Sequence, residues 1–268
     1  MRRLWTLILT LTLGLVAGCG SPSGAPSSSS TAAAITTSSA SSSSAAAVTN
    51  PAQRCGVTTK SPSAATRLPV AGGDLSVASV GTGGRVGILL HQSDGDLCQW
   101  WPYAARWATG DVRLIVVDQC GFGPSNCTAT PRQQVAALVA YARRSPTTSV
   151  TLVGASMGGT IALAEGQDAG ASAIVDLSGP PTWYDETPAE QAAARTTIPL
   201  LIACSKTDSD TSPSTLQAAV KKSAAKPAFF TDDQRGHGVD MLTSLDGQPT
   251  PLAALVRDWI SGDRRTSI

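Results

Sequence analysis

Residues 149–163, SVTLVGASMGGTIAL, leave this chain fewer choices than any other stretch. Residues 150–153 are apolar and partly β-branched, the pattern of a short strand covered on both faces. Gly154 stops the strand. Gly154, Ser156 and Gly158 then spell G-x-S-x-G, and Gly159 adds another residue without a side chain before the helical run 160–164. A serine on so sharp a strand-to-helix turn is strained, with its hydroxyl pointing out of the sheet, and neighbours bearing a Cβ would collide with the strand or the helix. The motif alone is weak in a chain with 25 glycines, so the strand before it and the helix after it carry the argument.

The rest of the chain alternates. Residues 67–71 and 75–80 read as a hairpin across Gly72-Gly73, and 86–90, 112–117, 172–177, 199–204 and 228–231 as further strands. Helical spacing falls on 100–107, 132–143, 214–224 and 252–260. Strands alternating with helices predict an α/β fold, a mostly parallel sheet with helices on both faces. Residues 54–268 are long enough to bury the core of one large domain.

The N-terminus is an address. Arg2 and Arg3 precede an apolar run over 4–16, closed by Val16-Ala17-Gly18-Cys19, and the run is shorter than the about 20 residues that span a bilayer. It resembles a bacterial lipoprotein signal peptide. That resemblance implies removal of residues 1–18 and lipid on Cys19, anchoring the protein on the extracytoplasmic side of the membrane, in the cell envelope. Residues 19–53 are almost all Ser, Ala, Thr, Gly and Pro and read as a disordered tether, with the folded domain at 54–268.

Lysine and arginine number 20 against 19 acids, a net charge of +1, so nothing electrostatic favours nucleic acid as a partner. With only His91 and His237 and no C-x-x-C pair, there is no zinc signature. Past Cys19, Cys120 and Cys127 flank the loop GFGPSN and form the first candidate disulfide, and Cys55 with Cys98 the second. Cys204 is left over, at the end of an apolar strand, where a free thiol behaves as a small hydrophobe.

With the serine turn after the fifth strand, residues 66–259 resemble the α/β-hydrolase family. Three more motifs carry the resemblance: Leu89-Leu90-His91 at the end of the third strand; Asp118, Gly121, Gly123 and Ser125 in the pattern D-x-R-G-x-G-x-S, with Cys120 for arginine; and Ser205-Lys206-Thr207-Asp208 with Arg235-Gly236-His237-Gly238 after the last two strands. The resemblance implies Ser156 as nucleophile, His237 as base and Asp208 as the acid, with Asp210 and Asp176 as alternative acids. It gives His91 and Asp118 structural roles. The oxyanion donors it implies are the backbone N–H groups of Met157 and Ser93. Gln92 stands where glycine is usual and is the alternative donor. No metal or organic cofactor is required.

Between the sixth and seventh strands only residues 179–198 are available, room for one helix near 188–195, so the lid is short or absent and the pocket open. Gln92, Trp183 and Tyr184 are expected to line it, while Trp100 and Trp107, sharing a helix face, belong to the core. Asp94 and Asp96 nearby would disfavour anionic acyl groups. The expected activity is hydrolysis of a small-molecule carboxylic ester or thioester through an acyl-enzyme. A peptidase or acyltransferase on the same triad, or a non-catalytic binding lipoprotein, stand as alternatives.

Overall fold

The computed structural model describes residues 49–232 and 235–268. The expected signal peptide, Cys19 and the expected tether as far as residue 48 lie outside the described residues. The folded part begins earlier than Arg54. Helix α1 (Pro51–Cys55) starts at Asn50, whose side chain accepts the Ala52 N–H at 2.9 Å, and Pro51 is buried. An Asn-Pro pair is a strong helix start whatever the composition around it.

Eight strands follow: β1 (Ser63–Val70), β2 (Gly73–Val80), β3 (Arg85–Leu90), β4 (Val112–Asp118), β5 (Ser149–Ala155), β6 (Ala173–Leu177), β7 (Leu200–Ala203) and β8 (Ala228–Thr231). They form one sheet in the order β1-β2-β4-β3-β5-β6-β7-β8. The β1–β2 hairpin and the β2–β4 pair are antiparallel, and every other pair is parallel.

Parallel neighbours need crossovers, and the crossover helices cover both faces. One face packs Val135 and Leu138 of α3 (Pro131–Ala142), Ile161 of α4 (Met157–Glu165), Ala192 of α5 (Ala189–Arg195) and Leu216 of α6 (Pro213–Lys222). The other packs α2 (Trp101–Trp107) and α7 (Pro251–Ile260), with Trp100, Trp101, Trp107 and Trp259 buried among their side chains. The core role expected of Trp100 and Trp107 is what is found. Trp100 also donates its indole N–H to the Leu90 carbonyl at 2.8 Å, which pins the start of α2 to the end of β3.

Both expected disulfides form, Cys55–Cys98 and Cys120–Cys127, and Cys204 is buried and free. Between β6 and β7 the chain builds only α5, which packs against the sheet face with α4 and α6. Among the described residues, no helix is long and apolar enough to cross a membrane. The carboxyl ends of β3, β5, β7 and β8 lead into the loops that carry His91, Ser156, Asp208 and His237.

Candidate active site

Ser156 sits between β5 and α4 with φ 50° and ψ −120°. A non-glycine residue in this region costs on the order of 1–3 kcal/mol and persists only where its surroundings hold it. Its N–H donates to the Leu177 carbonyl at 2.9 Å, locking the turn to β6. A Cβ on Gly154 would run into the Gly158 carbonyl, and one on Gly158 into the Leu90 carbonyl, so strand, turn and helix meet only because both lack side chains.

After β8 the chain turns back toward β5. Gly238, at φ +55°, lies against Ala155, the residue before the serine, and places His237 on the loop beside it. The His237 Nδ1 lies 2.9 Å from Asp208 Oδ2 and 3.1 Å from Oδ1. A carboxylate only accepts, so Nδ1 carries the proton and Nε2 keeps its lone pair. The Asp208 side chain is fully shielded, while that of His237 is 20% exposed. Burial alone would raise the Asp208 pKa, but hydrogen bonds from Ser178, the His237 imidazole and the Asp210 backbone N–H outweigh it and hold the carboxyl below its ordinary value.

Of the three aspartates at the strand ends, only Asp208 touches His237. Asp210 is exposed and gives only its backbone N–H, 2.9 Å from Asp208 Oδ1. Asp176 is fully buried, accepts the Gly179 N–H at 2.7 Å and leaves Oδ2 unpartnered; burial pushes its pKa up to about 7. Asp208, Asp210 and His237 bring potential ligand atoms within 4.8 Å of one another. Asp208 Oδ1 is already taken up by the Asp210 and Thr211 backbone N–H groups, so the trio makes a hydrogen-bonded acid–base pair before it makes a metal site. Behind the acid, Cys204 Sγ lies 3.8 Å from Asp208 Oδ2; burial, then the Asp208 charge, push its thiol up to about 12. It is inert packing, as the apolar strand implied.

The loop after β3 faces the serine from the other side. His91 is fully buried: its Nε2 accepts the Gln119 N–H at 3.0 Å, so its Nδ1 donates to the Gln92 carbonyl at 2.6 Å. Burial lowers its pKa, and with both ring nitrogens engaged it has no lone pair to offer a serine. The Gln92 N–H is taken by Gln99 Oε1 at 3.0 Å, whereas the Ser93 and Met157 N–H groups meet no acceptor among the described residues. Gln92 was expected in the pocket wall, but its side chain is turned inward. The residue is 7% exposed, and its Oε1 accepts the Val239 N–H at 2.7 Å. A polar amide near a backbone N–H gains more from that bond than from lining a cleft.

Arg54, which sequence patterns did not single out, anchors this loop. Its guanidinium donates to both Asp118 oxygens at 2.6 and 2.9 Å and to Asp96 Oδ2 at 2.6 Å. Asp118 Oδ1 also accepts the Leu97 N–H, and Asp96 Oδ1 the Cys98 N–H. Asp118 therefore has the structural part expected of it. Asp96 shares the Arg54 guanidinium with Asp118, so this trio keeps a net negative charge, and Asp94 accepts from the neutral Gln92 and Gln99 side chains and keeps its own. The one clue to Arg54 was its neighbour Cys55.

Trp183 packs against the core, and Tyr184 stacks edge-on to it at 5.1 Å with φ 41° and 90% exposure. Neither borders the largest described groove, about 870 Å³, which runs past Tyr103, Arg235, Gly236, Asp240 and Leu245. Trp183 is half-buried beside the core and Tyr184 stands exposed next to it.

No protein-family model matches the chain. No curated protein matches it in sequence. Its fold has many solved counterparts. An esterase from Thermogutta terrifontis superposes with a TM-score of 0.60 at 15% identity, covering 75% of this chain and 100% of that one. A dienelactone hydrolase from Anabaena variabilis gives 0.58 at 16% identity, covering 76% and 98%. An α/β serine hydrolase without a lid, from Xanthomonas campestris, gives 0.50 at 16% identity, covering 64% and 83%. At such identities the likeness is one of fold, and the fold is the α/β-hydrolase fold.

Proposed function

We propose that this chain is a serine hydrolase that cleaves carboxylic esters or thioesters through an acyl-enzyme. The observation that carries the proposal is the shielded Asp208 bonded to Nδ1 of His237, on a loop packed beside a serine held at positive φ. In this mechanism Ser156 Oγ attacks the ester carbonyl as His237 Nε2 takes its proton. The oxyanion forms between the unpartnered N–H groups of Met157 and Ser93, each such donor being worth about 10² to 10³ in rate. The intermediate collapses, His237 returns the proton to the departing alcohol or thiol, and a water activated by the same imidazole releases the acid. Asp208 holds the tautomer and stabilises the imidazolium.

The short segment between β6 and β7 supports small esters, or an ester at the end of a bulky substrate, over a long chain in a closed tunnel. The sequence features at Cys19 support a lipid-anchored enzyme working in the bacterial cell envelope on the extracytoplasmic side. A peptidase or acyltransferase would use the same residues and differ only in leaving group or acceptor.

The test is a p-nitrophenyl ester series, from acetate to long acyl chains, on the purified chain and its Ser156→Ala variant, beside fluorophosphonate labelling. Short esters should be turned over, and Ser156→Ala should abolish labelling and lower kcat by about 10⁴-fold or more. A folded wild type that takes no label and cleaves no ester would overturn the proposal in favour of a binding lipoprotein.

A further inference from the structure

Resting on that reading, we propose that Gln92 is a positioning residue: its side-chain amide sets the register between the oxyanion loop after β3 and the base-bearing loop after β8. Three strands, β5, β6 and β7, separate β3 from β8 in the sheet, so no ladder fixes these loops against each other. Yet an oxyanion donor and a general base must stand at set distances from one reacting carbon.

The link is explicit. The Val239 N–H, two residues past His237, donates to Gln92 Oε1 at 2.7 Å. Gln92 Nε2 donates to Asp94 Oδ1 at 3.3 Å, and Gln99 Nε2 donates to the same oxygen at 3.1 Å. Gln99 Oε1 accepts the Gln92 backbone N–H at 3.0 Å and closes the ring. The amide orientation follows from its partners, since a backbone N–H requires the oxygen and a carboxylate requires the nitrogen. Among the described residues, this is the one hydrogen bond joining residues 91–99 to residues 235–240.

The base loop is shaped to receive it. A Cβ on Gly238 would strike Gln92 Oε1, so the loop approaches this closely because position 238 is glycine at φ +55°. Glycine at position 92, usual in the motif this strand end resembles, has no side chain to reach Val239. The same arrangement commits the Gln92 N–H to Gln99 and leaves that of Ser93 to the oxyanion.

The experiment is steady-state hydrolysis of p-nitrophenyl acetate by the full chain, with thermal unfolding and fluorophosphonate labelling of each variant. Gln92→Ala should lower kcat by roughly 10- to 100-fold, the cost of small misplacements of reacting groups, with KM unchanged. Gln92→Glu should fall similarly at neutral pH, because it sets a second carboxylate against Asp94. Asp94 Oδ1 also accepts from Gln99, so the reversal needs Asp94→Asn and Gln99→Glu together with Gln92→Glu: the new amide then donates to both carboxylates, acceptors remain for the Val239 and Gln92 N–H groups, and most of kcat should return. In a His237→Ala background, Gln92→Ala should cost almost nothing further, since the residue acts through the base. Unchanged kcat in a folded Gln92→Ala protein overturns the inference, as does an equal loss in both backgrounds or a folded triple variant without recovery. If Gln92→Ala does not fold, the triple variant decides by its kcat alone. A wild type that neither turns over nor takes label overturns the underlying reading as well, whereas an active wild type indifferent to Gln92 overturns only the inference.

Discussion

The oxyanion loop after β3 and the base loop after β8 flank the same serine but are held by different means. The first is fastened to α1 by the Cys55–Cys98 disulfide and by Arg54 between Asp118 and Asp96, and beneath it His91 has both ring nitrogens engaged. The second depends on hydrogen bonds from His237 to Asp208 and from Val239 to Gln92. Donors that stabilise developing charge work best when nothing must reorganise, and covalent and ionic fastening suits them. A base must exchange protons with substrate and water, so its imidazole keeps 20% of its surface open while the His91 ring has none.

Four changes test that contrast, ordered by their expected effect on turnover. Asp208→Asn strikes the base side where it is most dependent and should lower kcat by about 10⁴-fold, with thermal stability barely altered. A loss under tenfold, read from p-nitrophenyl acetate kinetics, would mean that Asp210 or Asp176 takes over. Arg54→Met strikes the donor side, leaving the buried Asp118 carboxylate uncompensated. It should cost roughly 3–5 kcal/mol in denaturant unfolding and lower kcat in whatever folds. If stability holds, the ion pair does not fasten the loop.

Replacing both Cys55 and Cys98 with serine should cost about 2–4 kcal/mol through the freed chain while changing kcat less than Arg54→Met does. A larger loss of kcat than of stability would show the disulfide acting on the oxyanion loop directly. Asp176→Asn belongs to neither loop and should leave kcat alone while changing how stability depends on pH. With its pKa raised to about 7 in the folded state, Asp176 favours folding while protonated in both states; that advantage declines as pH rises from about 4 to about 7, and stays lost above. The asparagine variant should lack this decline in unfolding midpoints measured across that range. A wild-type curve already flat there would refute the assignment.

Much of the fold was legible because its signals are local. Most strands, the turn at Ser156 and the helices follow from burial periodicity and from backbone sterics within a few residues, although β1 begins at Ser63, before the expected residue 67. The start of the folded part was less so, since Ser/Ala-rich composition conceals the helix start at Asn50-Pro51. The first disulfide was within reach because Cys120 and Cys127 flank one short loop, and the second, Cys55 with Cys98, was a guess that only the folded chain decides.

The site divided differently. Ser156 and His237 stand on glycine-flanked turns that announce themselves, whereas Asp208 was singled out by resemblance alone, with Asp210 two residues on and Asp176 at the end of β6 as alternatives. The bond from His237 to Asp208 depends on β7 and β8 lying side by side, which no residue beside either one announces. Arg54 meets Asp118 across 64 residues, and Gln92 meets Val239 across 147. A side chain's type and the conformations open to its backbone are written in its immediate neighbours. Which distant donor or acceptor it meets depends on how whole strands pack, and only the assembled sheet decides that.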